Sequence, residues 1–193
     1  MKIVDKIWQI MAHAEKFCAA KTDSIAESVK FTAAVSAVLG IIAAIEVLGL
    51  IPIKLTGLPL SGLTEAFAPP IAAAIALISV IICSVLLLLV GSAALHVFAR
   101  FLGAKKGFKD TVPAMVAFMA PNLLLGWVPF VNIWTSIYTF LIIAYVLARK
   151  QNMTMAKATT AIALPIIIGT AIASAFGLIG AGGMVQTLVP IAG

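Results

Sequence analysis

The sequence predicts an all-α, polytopic membrane protein, with five transmembrane helices preceded by an interfacial amphipathic helix. Three observations carry this expectation. Hydrophobic residues make up 63% of the 193, charged residues 10%, and mean hydropathy is +1.17. A soluble domain carries about a quarter charged residues, so this chain cannot cover its surface with charge and must take lipid as its main solvent. The second observation is a run of 38 residues, 111–148, without one Asp, Glu, Lys, Arg or His. As a single helix it would measure roughly 57 Å against an apolar slab of about 30 Å, so it should fold back on itself. The third is the placement of the 13 basic residues. Five precede the first span, one (Lys54) follows it, four separate spans two and three, none lies in the 126–132 turn, three separate spans four and five, and none follows. High and low counts alternate as the preference of Lys and Arg for the cytoplasmic side requires. The series places the N-terminus in the cytoplasm and the C-terminus outside or in a lumen.

In chain order, residues 1–27 form the leader. Ile3, Ile7, Ile10, Met11, Ala14, Phe17 and Cys18 recur at three- and four-residue steps, with Lys2, Lys6, Gln9, His13 and Lys16 filling the other side. That pattern predicts an amphipathic helix lying flat on the inner leaflet, with Trp8 at head-group level. Charges interrupt it too often for a secretory signal. Residues 28–193 form one membrane domain, with no room for a second, soluble one.

The spans fall at about 30–50, 69–98, 111–127, 131–148 and 157–180. "AFAPP" before the second reads as an outer interfacial lead-in. The third starts where Asp110 or Thr111 can cap, with Pro113 at a position whose missing N–H costs nothing. Gly126, Pro129 and Asn132 are the turn formers of the hairpin between spans three and four, and Trp127 its interface anchor. Small residues strip the fifth span at every fourth position, among them Gly169, Ala173 and Gly177. Ser36, Gly40 and Ala44 do so in the first. Such strips let backbones approach closely where no charge holds helices together.

Polar positions are few. Glu46, about one turn from the outer end of the first span, reads as an interface anchor within reach of Lys54, or as an ion- or proton-handling acid. His96 and Arg100 lie one turn apart near the inner end of the second span. Pro121 removes a helical hydrogen bond and frees the carbonyl of Ala117, while Asn122 brings a carboxamide to roughly mid-membrane. The pair is either structural, with Asn122 bonded to Tyr138, Thr135 or a neighbouring span, or the lining of a small polar cavity. The loop "RFLGAKKGFKD" offers Lys105, Lys106 and Lys109 to anionic lipid or to a cytoplasmic partner.

No nucleophile elbow, phosphate-cradling glycine loop or HExxH occurs, so no catalytic, cofactor-binding or metal site is expected. Cys18 and Cys83 fall in settings too different for a disulfide, and each reads as a small hydrophobe. A basic face interleaved with stacking aromatics is missing, which argues against nucleic acid.

The run 96–165 carries a resemblance. His96 and Arg100 lead into the loop G-A-K-K-G-F-K; an Ala-Pro at 120–121, "LLGWVPFV" at the hairpin, and Ala156-Lys157-Ala158 leading to Pro165 follow in order. Together they resemble the Yip domain family, the Ypt/Rab-interacting integral membrane proteins, and, with a short leader, its compact, prokaryote-like members. The resemblance implies five spans, a cytoplasmic N-terminus, self-association and a role related to membrane trafficking. The expected function is a non-enzymatic membrane scaffold or adaptor that organises anionic lipid or a cytoplasmic protein and assembles into homo-oligomers. The alternative is a small transporter or channel with a polar path at the broken third span.

Overall fold

The computed structural model describes residues 3–50, 65–128 and 130–175. It is all-helical, with no strand among the described residues. The helices are α1 (Ile3–Ala12), α2 (Ala14–Ala19), α3 (Ile25–Val47), α4 (Pro69–Phe101), α5 (Val112–Leu125), α6 (Val131–Gln151) and α7 (Met155–Ala175), with a 3-10 turn at Phe108–Asp110. Three of them, α3, α4 and α6, are long and apolar enough to cross a membrane.

Each helix end has a local cause. Ser24 and Glu27 close a capping box at the start of α3, each side chain accepting the other's backbone N–H. Pro69 and Pro70 open α4, where a missing N–H is harmless, so "AFAPP" marks a helix start. Gly103, with φ +94°, ends α4: its N–H donates to the Arg100 carbonyl and that of Ala104 to the Ala99 carbonyl. Asn152 does the same for α6 with φ 54°, the next N–H, of Met153, reaching the Ala148 carbonyl.

The expected fold-back lies between α5 and α6. Its chemistry differs from expectation: the left-handed residue is Phe130, and Asn132 sits in the first turn of α6. Pro129 lies outside the described residues. Gly126 is required there, because a Cβ would meet the Asn122 carbonyl oxygen at 2.5 Å. Trp127 turns its indole N–H back onto the Leu124 carbonyl, 2.7 Å away.

α5 is the central helix. It has only 14 residues, about 21 Å, and most of them are buried against α3, α4, α6 and α1. A helix wrapped by neighbours need not match the slab. α4, by contrast, has 33 residues, about 50 Å. Its buried positions Ala72, Ala76, Val80, Ser84, Leu88 and Ser92 step by four. Four residues turn roughly 400°, so the seam rotates roughly 40° per step and hands contact from one neighbour to the next. At the Pro69 end it packs on Ala43 and Val47 of α3. At the other, Leu88, Leu95 and Ala99 join the main core with α5, α6 and α7.

Gly40 forms a close approach in this seam: a Cβ would lie 2.7 Å from Leu77 Cδ1 and 3.1 Å from the Leu77 carbonyl oxygen. The α3 strip is thus a packing seam. The α7 strip is not one along its length. Ala158, Ala161 and Ile162 are buried, but Gly169 has no atom within 4 Å of a built Cβ. The Ala173 side chain and Gly177 lie outside the described residues.

The leader departs most from expectation. It is two short helices meeting at His13, docked against α5 and α6. Ile10 and Phe17 face the core as the periodicity requires, but Lys6, expected on the polar outer side, is buried as well. Its ammonium pairs with Asp23 and lies 4.4 Å from the centre of the Phe31 ring. Ile3, Val4 and Trp8 are its exposed large hydrophobic side chains.

Candidate functional site

The polar chemistry gathers where α4 and α6 end and α3, α5 and α7 begin. Its hub is Gln151, the last residue of α6 and fully buried. A buried carboxamide is costly unless hydrogen-bonded, and this one is bonded on both sides. Oε1 accepts the backbone N–H of Lys106 at 3.1 Å; Nε2 donates to the Gly107 carbonyl at 3.1 Å and to Thr111 Oγ1 at 2.8 Å. These partners fix which way the amide points.

Thr111, also fully buried, extends the network to His96, whose Nδ1 lies 2.8 Å from Oγ1. Because that oxygen accepts from Gln151, its own O–H is available to donate to Nδ1. Phe108 packs edge-on against the imidazole, ring centres 5.8 Å apart. Thr111 was expected, with Asp110, to cap α5; it makes no side-chain cap bond. Asp110 instead accepts from the Thr22 hydroxyl at 3.1 Å. A hydroxyl beside an imidazole is the start of a nucleophile–base pair, but Thr111 is sealed from any substrate. The pair therefore holds the loop in place.

The loop so held is the basic one. Lys105 and Lys109 are exposed and Lys106 half-buried. Arg100 donates to the Ala104 carbonyl at 3.3 Å, bracing the same turn, and Lys157 Nζ lies 3.6 Å from where a Gly103 Cβ would stand. Among the described residues the salt bridge is Lys6–Asp23, so the loop's cations have no acid partner there.

The leader runs from this end along the flank of α6 as far as Tyr138, 13 residues or about 20 Å from Gln151. The Tyr138 hydroxyl lies 2.8 Å from the carbonyls of both Ile10 and Met11, and Lys150 donates to the Ala20 carbonyl at 2.7 Å. Beside it, Cys18 lines a hollow with Glu15, Tyr145 and Arg149. Burial pushes the Cys18 thiol above its ordinary range, partly offset by Lys150 and Arg149.

The other expected positions stand apart. Asn122 donates to the Phe118 carbonyl of its own helix at 2.8 Å, not to Tyr138, Thr135 or another span. Pro121 is buried. Glu46 lies half-buried in the last turn of α3, far along the chain from the hub, with its carbonyl accepting from Gly49; Lys54 lies outside the described residues. Of the predicted positions, the structure joins His96, Arg100, Lys105, Lys106 and Lys109. Gln151 and Thr111, which join them, carry no local sequence signal: the partners of Gln151 lie 40 or more residues away, and His96 lies 15 residues from Thr111 across the whole basic loop. No three His, Cys, Asp or Glu side chains converge on a metal-sized site among the described residues. No family model, curated protein or solved structure matches the chain.

Proposed function

We propose that the chain is a non-enzymatic integral membrane scaffold of the Yip type, with five spans and its basic end in the cytoplasm. α5, though short, acts as a span because it is wrapped by its neighbours, and α7 is the fifth. The basic loop and docked leader form a platform for anionic head groups and a cytoplasmic partner.

The observation that carries this reading is the Gln151 clamp. A loop of lysines on a free tether loses conformational entropy on binding, whereas one whose backbone is pinned at Lys106 and Gly107 has already lost it. Each lysine near an anionic surface contributes about 1 kcal/mol. The engagement of Asn122 within its own helix weighs against a polar path there.

The test is lipid selectivity of the reconstituted protein, read from the motionally restricted fraction of spin-labelled phosphatidylglycerol against phosphatidylcholine. The expected result is a several-fold preference for phosphatidylglycerol that falls toward unity when Lys105, Lys106 and Lys109 are all changed to Gln. Equal selectivity in the wild type and the triple variant would contradict the platform.

A further inference from the structure

α7 leaves the bundle at Pro165. Below that residue it is packed, with Ala158 and Ala161 fully buried; from Ile166 to Ala171 it is exposed on every side. The separation opens an apolar crevice of about 220 Å³ among α4, α5, α6 and α7. Gly91 and Ala94 form one wall, Met115 and Phe118 the floor, Phe140 another wall, and Ile166 the side from which α7 diverges. Gly91 leaves space for the Met115 methyl, which a Cβ would meet at 2.6 Å.

Size and charge together choose the occupant. One turn of helix, about 10 Å across and 5.4 Å high, needs about 420 Å³, so a partner helix cannot seat its backbone here. Part of a single hydrocarbon chain fits in that volume, and no wall asks it for a hydrogen bond. Ala94 and Ile162 lie within about 11 Å, along their helices, of Arg100 and Lys157. Those two cations, with Lys105 and Lys106, ring the basic end of the same bundle without acid partners among the described residues. A phospholipid with its phosphate at that ring has its chain at the depth of the crevice.

We propose that the crevice between α4 and α7 holds one acyl chain of an anionic phospholipid from the leaflet at the basic end. This rests on the membrane placement and basic-face affinity proposed above, and it deepens them from a diffuse platform to one seated lipid. The head group contributes charge preference; the crevice contributes retention.

The test is native mass spectrometry of the full chain, released from detergent with dioleoyl phosphatidylglycerol or dioleoyl phosphatidylcholine. Ala94→Phe and Ile166→Phe fill the crevice from opposite walls, and Ile82→Phe places the same ring on the exposed face of α4. The expected result is one retained phosphatidylglycerol per chain, reduced at least fivefold in both crevice variants and unchanged in Ile82→Phe. Wild-type retention in either crevice variant would overturn the proposal, as would equal loss in Ile82→Phe. A dimer that dissociates in Ala94→Phe while bound lipid is unchanged would assign the crevice to a second copy and also overturn it. Lys157→Gln should reduce the preference for phosphatidylglycerol while phosphatidylcholine retention stays. The triple loop variant separates the two readings: if it keeps full charge preference while Ala94→Phe loses lipid, the platform fails and the seated chain stands.

Discussion

The Tyr138 hydroxyl sits 2.8 Å from the Ile10 carbonyl, linking residues 128 apart in the chain. Ile10 and Met11 belong to the last turn of α1, whose carbonyls a helix end leaves for outside partners. One O–H shared between them caps the helix and docks it in the same stroke. Tyr138→Phe removes the donor and little else. It is expected to cost about 1 kcal/mol and to raise amide exchange across residues 3–19 about fivefold, measured by mass spectrometry in detergent. Unchanged exchange would mean that Ile10 and Phe17 alone hold the leader.

Gln151→Leu keeps approximate volume and removes all three hub bonds. The N–H of Lys106, the Gly107 carbonyl and Thr111 would each lose a partner, at about 1 kcal/mol or more apiece. A fall of about 3 kcal/mol in unfolding free energy is expected, with faster exchange confined first to residues 103–111. Thr111→Val should show a smaller loss, because the amide still holds the loop backbone.

Two glycines give opposite expectations. Gly40→Val drives a side chain into the Leu77 backbone, which should cost about 2 kcal/mol from overpacking and lower the melting temperature. Gly169→Leu meets open space and should leave the melting temperature of the single chain unchanged. A Gly169→Leu chain that melts markedly earlier would show that α7 has a protein neighbour there.

The thiol of Cys18 gives the pH expectation. Burial raises its pKa above the ordinary 9.0, so less thiolate exists at any pH than in an unfolded chain. In a Cys83→Ser background, alkylation by iodoacetamide should have a midpoint above that of a free thiol, and Arg149→Gln should raise it further by removing a stabilising cation. Because the folded thiol holds its proton more tightly, this group's contribution to stability is full below the ordinary thiol range. It is lost as pH rises through the raised value. A midpoint below that of a free thiol would contradict the burial.

What could be read from the sequence followed period and length. The charge-free run from Thr111 to Ala148 is too long for one helix, and it folds back within the residues expected. Gly40 shows its role because small residues at fourth positions mean close approach. Lys6 could not be placed, because a lysine on an amphipathic helix looks solvated until Asp23 and Phe31 arrive from another element. Asn122 misled for the converse reason: a mid-span carboxamide invites a distant partner, yet its own Phe118 carbonyl was within reach. The hub itself has no period. His96 and Gln151 come from two helices and Thr111 from the turn before a third, and only folding brings them together.

The account depends on loop 103–110 and the turn at 126–130 lying on opposite membrane faces, although α5 between them is only about 21 Å long. Gly107, with nothing within 4 Å of a Cβ, and Phe130, 85% exposed, accept cysteine without repacking. In a Cys18→Ser, Cys83→Ser background, each single cysteine is treated with a membrane-impermeant maleimide in sealed, uniformly oriented vesicles. The account predicts that Gly107→Cys labels from one side alone and Phe130→Cys from the other. Labelling of both from the same side would contradict it.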